Sequence, residues 1–184
     1  TVYFIRDNHL NNEWHTLVSN LANYKSYSFY TFGNQLIPSV YMPPMYAFFI
    51  YLVKSVTSFD GTNLVYSVIF IQIVLSTYSI YLFYQINQKI FSDKLSLINS
   101  FIFSIVPLNI YYCCQISSIN LQIILSLLFL KFLILLIHEG KLGNIFLFSI
   151  ISGLLILTRG EFLFFFILII FFISFNKKIK LINL

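Results

Sequence analysis

The chain has 184 residues, of which 59% are hydrophobic and only 9% charged, with a net charge of +5 and a mean hydropathy of +0.85. Soluble domains carry about a quarter charged residues, so this composition excludes one and indicates an integral membrane protein. The lysines lie near the ends of apolar runs and not on one basic face, so no nucleic-acid partner is expected.

The short apolar run Thr1–Ile5 before Arg6 reads as the end of a truncated first span. From Arg6 to Tyr46 the chain is polar, aromatic and turn-rich, and it holds Asp7, Glu13, His9, His15 and the single tryptophan, Trp14. Asn11-Asn12 can cap a short helix in which Trp14, Leu17, Val18 and Leu21 repeat at i, i+3, i+4, i+7. Such a helix lies amphipathically at the membrane surface, with Glu13 in its first turn, where the helix dipole favours a carboxylate. The bland reading of Glu13 is helix-terminus electrostatics alone. Tyr24, Tyr27, Phe29, Tyr30 and Phe32 suit the headgroup level or a groove for a sugar or lipid head. Gly33-Asn34 marks a turn, and Pro38 and Pro43-Pro44 keep the backbone extended before an interfacial or half-inserted helix from about Met45 to Val56.

Residues 61–88 are uncharged and long enough to cross a bilayer, with Gln72 marking a protein-facing side. Pro107 and the polar stretch Gln115–Asn120 divide the next uncharged region into spans at roughly 95–113 and 119–137, the second carrying Lys131 close enough to its end to snorkel. Further spans are expected at 142–158 and 162–176, separated by Arg159-Gly160-Glu161. The expected fold is therefore all-α: residues 1–60 form an extracytoplasmic loop with short amphipathic helices, and residues 61–184 a transmembrane bundle of about five spans. Adjacent cysteines rarely bridge, so Cys113-Cys114 reads as inert.

Lysine bias sets the sides. Lys89, Lys94, Lys141, Lys177, Lys178 and Lys180 mark cytoplasmic loops, whereas the turn at 113–120 has no Lys or Arg and the break at 159–161 has Arg159 alone. The loop before the first full span, the 115–120 turn and Arg159-Gly160-Glu161 then share the extracytoplasmic side. Charged residues at the membrane rim are functional candidates. An arginine there suits a phosphate, which its planar fork can bind with two donors. A plain interface anchor is the competing reading of Arg159.

The order of these features resembles the N-terminal part of the GT-C superfamily of glycosyltransferases, the branch of the protein O-mannosyltransferases and lipid A aminoarabinose transferases. The resemblance rests on the acidic first loop with Glu13-Trp14-His15-Thr16-Leu17, on Pro38-Ser39-Val40-Tyr41-Met42-Pro43-Pro44-Met45-Tyr46, on Gln72, on Pro107-Leu108-Asn109-Ile110-Tyr111-Tyr112, and on Gly153-Leu154-Leu155-Ile156-Leu157-Thr158-Arg159-Gly160-Glu161. The last is similar to the family's Gly-Leu-x-x-Leu-Thr-Arg-Pro-Glu. There are departures. The family's first loop commonly has an Asp or an Asp-Glu pair, whereas Asp7 and Glu13 stand apart; Gly160 replaces a frequent Pro; and Ser117, Ser118 and Asn120 lie where many members have an acidic residue.

The resemblance implies a multi-pass enzyme of the plasma (inner) membrane, transferring a sugar from a polyprenyl-phosphate-linked donor to an acceptor at the outer face. It implies Glu13, with Asp7 as second candidate, as the catalytic carboxylate. Arg159, Glu161, Arg6, His15, Tyr41 and Tyr46 would bind the donor phosphate and substrate, and no metal or cofactor is expected. The acceptor, whether lipid, glycan or protein, is left open. Rival readings are a non-enzymatic lipid or polysaccharide transporter, an O-antigen ligase or polymerase, and a metal enzyme using His9, Glu13 and His15. A transporter would pair charged or broken helices at the midplane. The ligase would place its large loop later in the chain, and a histidine spacing of six is not the helical i, i+4 pair.

Overall fold

The computed structural model describes residues 13–32, 35–38, 42–139 and 141–175. Eight α-helices and one two-stranded hairpin make up this part of the chain. The helices follow the sequence expectation closely, because the residues that stop or start them are local.

The first is α1, Glu13–Tyr24, which buries Trp14, Leu17 and Val18 along the face that the i, i+3, i+4 spacing marks. Lys25 has a φ of 52°, the left-handed conformation that commonly ends a helix. Next come β1, Ser28–Phe32, and β2, Gln35–Pro38, paired antiparallel with a register irregularity between Ser28 and Thr31. The aromatic run expected at headgroup level is thus partly a hairpin. Its aromatic and threonine content suits a pleated strand.

Pro44 lies at the start of α2, Pro44–Thr57, where the missing N–H costs nothing. The helix ends at Ser58, whose left-handed φ of 56° lets its N–H reach the Lys54 carbonyl at 2.8 Å. Lys54 forms an ion pair with Asp60 in the link to the next helix.

The long helix α3, Gly61–Asn87, is followed by α4, Asp93–Ser104, and α5, Pro107–Cys113. The span expected at 95–113 is bent by 56° between α4 and α5. Pro107 explains this, since a proline removes a hydrogen-bond donor and its ring excludes a continuous turn before it. Then come α6, Ser118–Glu139, α7, Leu142–Thr158, and α8, Phe162–Phe175.

Among the described residues, two helices, α3 and α6, are long and apolar enough to cross a membrane, or three if α4 and α5 count as one bent span. The expected spans α7 and α8 have 17 and 14 residues, fewer than the ~20 a direct crossing takes. The chain is an all-α membrane protein with minimal sheet.

The chain divides into two compact units, residues 1–76 with 106–120, and residues 77–105 with 121–184. In the first, α1 packs on α2 through Trp14 and Tyr46, whose rings meet edge to face at 4.9 Å. In the second, Phe83 stacks on Phe103 at 4.5 Å, and Phe148 of α7 lies against Phe129 of α6 at 4.9 Å and Phe166 of α8 at 6.0 Å. The buried face of α7 runs through Phe148, Ile151, Ser152, Leu155 and Thr158. The hydroxyls of Ser152 and Thr158 donate back to the Phe148 and Leu154 carbonyls, which keeps them satisfied in an apolar surrounding.

Candidate active site

The first unit is organised around Gln72, on α3. Its side-chain oxygen accepts a hydrogen bond from the Tyr46 hydroxyl at 2.9 Å. Its amide nitrogen donates to the carbonyls of Gln115 at 3.0 Å and Tyr112 at 3.4 Å. The carbonyl of Gln72 in turn accepts from the Asn120 amide at 2.7 Å. Tyr112 and Gln115 sit at and just beyond the end of α5, where the Tyr112 carbonyl also accepts from the Gln115 N–H at 3.4 Å. A single buried amide therefore ties α2 to α3 and closes the turn between α5 and α6. Gln72 and Tyr46 are 1% and 0% exposed, so their side-chain polar groups must find partners within the fold.

The N-terminal elements are anchored to this centre. Trp14 sets α1 against Tyr46, and the Asn20 amide donates to the Ser28 carbonyl at 2.9 Å, joining α1 to β1. Tyr27 stacks on Phe48 at 6.2 Å, and its hydroxyl donates to the Met42 carbonyl at 2.8 Å. Burial raises the Tyr27 phenol above its ordinary value, which keeps it protonated as that donor. Glu13 and His15 flank the buried Trp14 and are both exposed, so the packed tryptophan fixes the first turn while leaving its carboxylate and imidazole outward.

Tyr46, expected to touch substrate, is instead at the centre of the packing, with its hydroxyl on Gln72. Arg6, Asp7 and Tyr41 lie outside the described residues, as do His9, the Asn11-Asn12 cap, Gly33-Asn34 and the lysines at 177–180.

In the second unit α7 stops at Thr158, and Arg159 is extended at φ −152°, ψ 118°, with its N–H on the Leu155 carbonyl. Its half-buried guanidinium donates from Nη1 to the Gln122 side-chain oxygen on α6 at 3.2 Å. Glu161 is exposed, and among the described residues it forms no ion pair with Arg159. A guanidinium has five N–H donors, and one amide oxygen occupies one of them. The remaining donors can receive an anion. Gln122 was not singled out from the sequence. Only its position on a neighbouring helix reveals it.

Apolar helices interrupted by a half-buried arginine, together with an aromatic, carboxylate-bearing N-terminal segment, define an integral membrane protein with an ionisable site at the helix ends. The model of the dolichyl-phosphate-mannose-protein mannosyltransferase family matches residues 41–183, and the chain belongs to that family. It is thus a membrane glycosyltransferase of the GT-C type. No curated protein and no solved structure matches the chain. The matched range contains Tyr41, Tyr46, Arg159 and Glu161, and it begins after Arg6, Asp7, Glu13 and His15.

Proposed function

We propose that the protein transfers a sugar from a polyprenyl-phosphate-linked donor to an acceptor at the outer face of the plasma (inner) membrane, with the N-terminal segment extracytoplasmic. The family match over residues 41–183 carries this reading, since the family's name specifies a lipid-phosphate-linked sugar. The lysine bias supports the sidedness.

In this reaction Glu13 takes the proton of the acceptor hydroxyl as that oxygen bonds to the anomeric carbon. The bond from the anomeric carbon to the donor phosphate oxygen breaks, and polyprenyl phosphate leaves with the electron pair. Arg159 holds that phosphate and binds it more tightly as its charge grows. Gln122 orients the guanidinium. Asp7 is the second candidate for this base, Arg6 and Glu161 are further residues for the donor phosphate and substrate, and His15 and Tyr41 are sugar contacts. Tyr46 serves through position, as the residue against which Trp14 sets α1.

Glu13→Gln keeps shape and removes the charge, so turnover should fall roughly 10²–10⁴-fold with expression intact. Activity lost instead on Asp7→Asn would move the role there. Full activity in both variants would remove acid–base chemistry from this loop.

A further inference from the structure

A second candidate site lies in the unit formed by residues 77–105 and 121–184, where α3 nears its end. A cavity of about 390 Å³ is lined by Gln85, Ile86, Gln88 and Lys89 together with Lys131, Ile134 and Leu135 of α6. It is distinct from the Arg159 turn, because Lys131 is nine residues beyond Gln122 on α6, about 13 Å along the helix.

Its charge is one-sided. Two lysines line it and no carboxylate does. Lys131 is half-buried, and its ammonium donates to the Gln85 side-chain oxygen at 2.8 Å. An ammonium has three donors, and a neutral amide leaves its charge uncompensated. A half-buried ammonium beside apolar side chains, with only a neutral amide against it, favours an anion as its further partner. The carboxylate of Asp93 accepts from the Gln88 amide at 2.8 Å but does not itself line the cavity. Ile86, Ile134 and Leu135 supply an apolar wall continuous with the helix faces. The lysines at 89, 94 and 141 place this end on the side where anionic lipids concentrate.

We propose that this cavity binds the phosphodiester headgroup of an anionic glycerophospholipid, with Lys131 and Lys89 on the phosphate and the apolar wall against the first acyl carbons. The site is separate from sugar transfer and does not depend on it. Free phosphate shares the headgroup's charge but would make no use of the apolar wall.

The test is native mass spectrometry of the full chain released from nanodiscs containing phosphatidylglycerol or phosphatidylcholine, with inorganic phosphate as a third arm. Wild type should retain one phosphatidylglycerol in preference to phosphatidylcholine. The double variant Lys89→Gln, Lys131→Gln should weaken that retention roughly tenfold or more, whereas Lys94→Gln, which removes a charge outside the cavity, should not. Ile134→Trp fills the cavity without changing charge and should also displace the lipid, which covers the case in which the double variant misfolds. Equal retention of the two lipids overturns the proposal, as does a loss on Lys94→Gln as large as on the double variant. Binding of inorganic phosphate without lipid retention overturns it too.

Discussion

Gln72 and Arg159 are both polar residues in an apolar chain, yet the structure uses them in opposite ways. Gln72 is buried, and both ends of its amide are engaged by groups from elsewhere in the sequence. Arg159 is half-buried at a helix end, with one amide oxygen against a group that has five donors. A fully satisfied polar group in a low-dielectric interior fixes geometry, because breaking any of its bonds strands the partner. A partly satisfied charged group at a rim retains the capacity to bind something else. The first behaviour is scaffold, and the second is what the proposed role of Arg159 requires.

Substitution at Gln72 should break that contrast most visibly. Gln72→Leu removes the amide that accepts from the Tyr46 hydroxyl and donates to the Gln115 and Tyr112 carbonyls. The cost should be on the order of 3 kcal/mol, read as a large drop in melting temperature of the detergent-purified protein. An unchanged melting temperature would show that the amide is not what joins these elements. Tyr46→Phe removes one hydroxyl and keeps the ring against Trp14. It should cost about 1 kcal/mol, so a loss as large as that of Gln72→Leu would mean the hydroxyl, and not the amide, is the centre.

The smallest effect is expected beside Arg159. The extended conformation of Arg159 is the one a residue preceding proline adopts, and a side-chain carbon added at Gly160 meets nothing within 4 Å. Gly160→Pro should therefore change stability by less than about 0.5 kcal/mol. A marked loss of folded protein would show that the turn needs glycine's freedom.

The helices were largely legible in the sequence, because their ends are written locally. Pro44 opens α2, Pro107 opens α5, and Arg159-Gly160-Glu161 separates α7 from α8. The strand pair was less legible, and the turn expected at Gly33-Asn34 lies outside the described residues. The aromatic run Tyr24, Tyr27, Phe29, Tyr30 and Phe32 suits headgroup level or a sugar or lipid-head groove, yet aromatic and threonine residues in sequence also describe the strand Ser28–Phe32. Pro107 together with the polar stretch Gln115–Asn120 suggests a boundary between two spans, and the bend at Pro107 falls within the first of them.

The site was legible in residue type and less so in role. Arg159 stood out because a charge between apolar runs is conspicuous, whereas Gln122, 37 residues away, became visible only through its contact. Tyr46 stood out as one aromatic among many near prolines. Its burial depends on Gln72, 26 residues further on, and no local pattern encodes a contact of that range.

Donor binding by the purified protein tests the central claim about Arg159 most directly. Polyprenyl phosphate affinity should be highest for wild type, lower for Arg159→Lys, which keeps charge but loses the two-donor fork, and weakest for Arg159→Ala, by roughly 10²-fold or more. Binding by Arg159→Ala as tight as wild type would contradict the account and leave Arg159 an interface anchor held by Gln122.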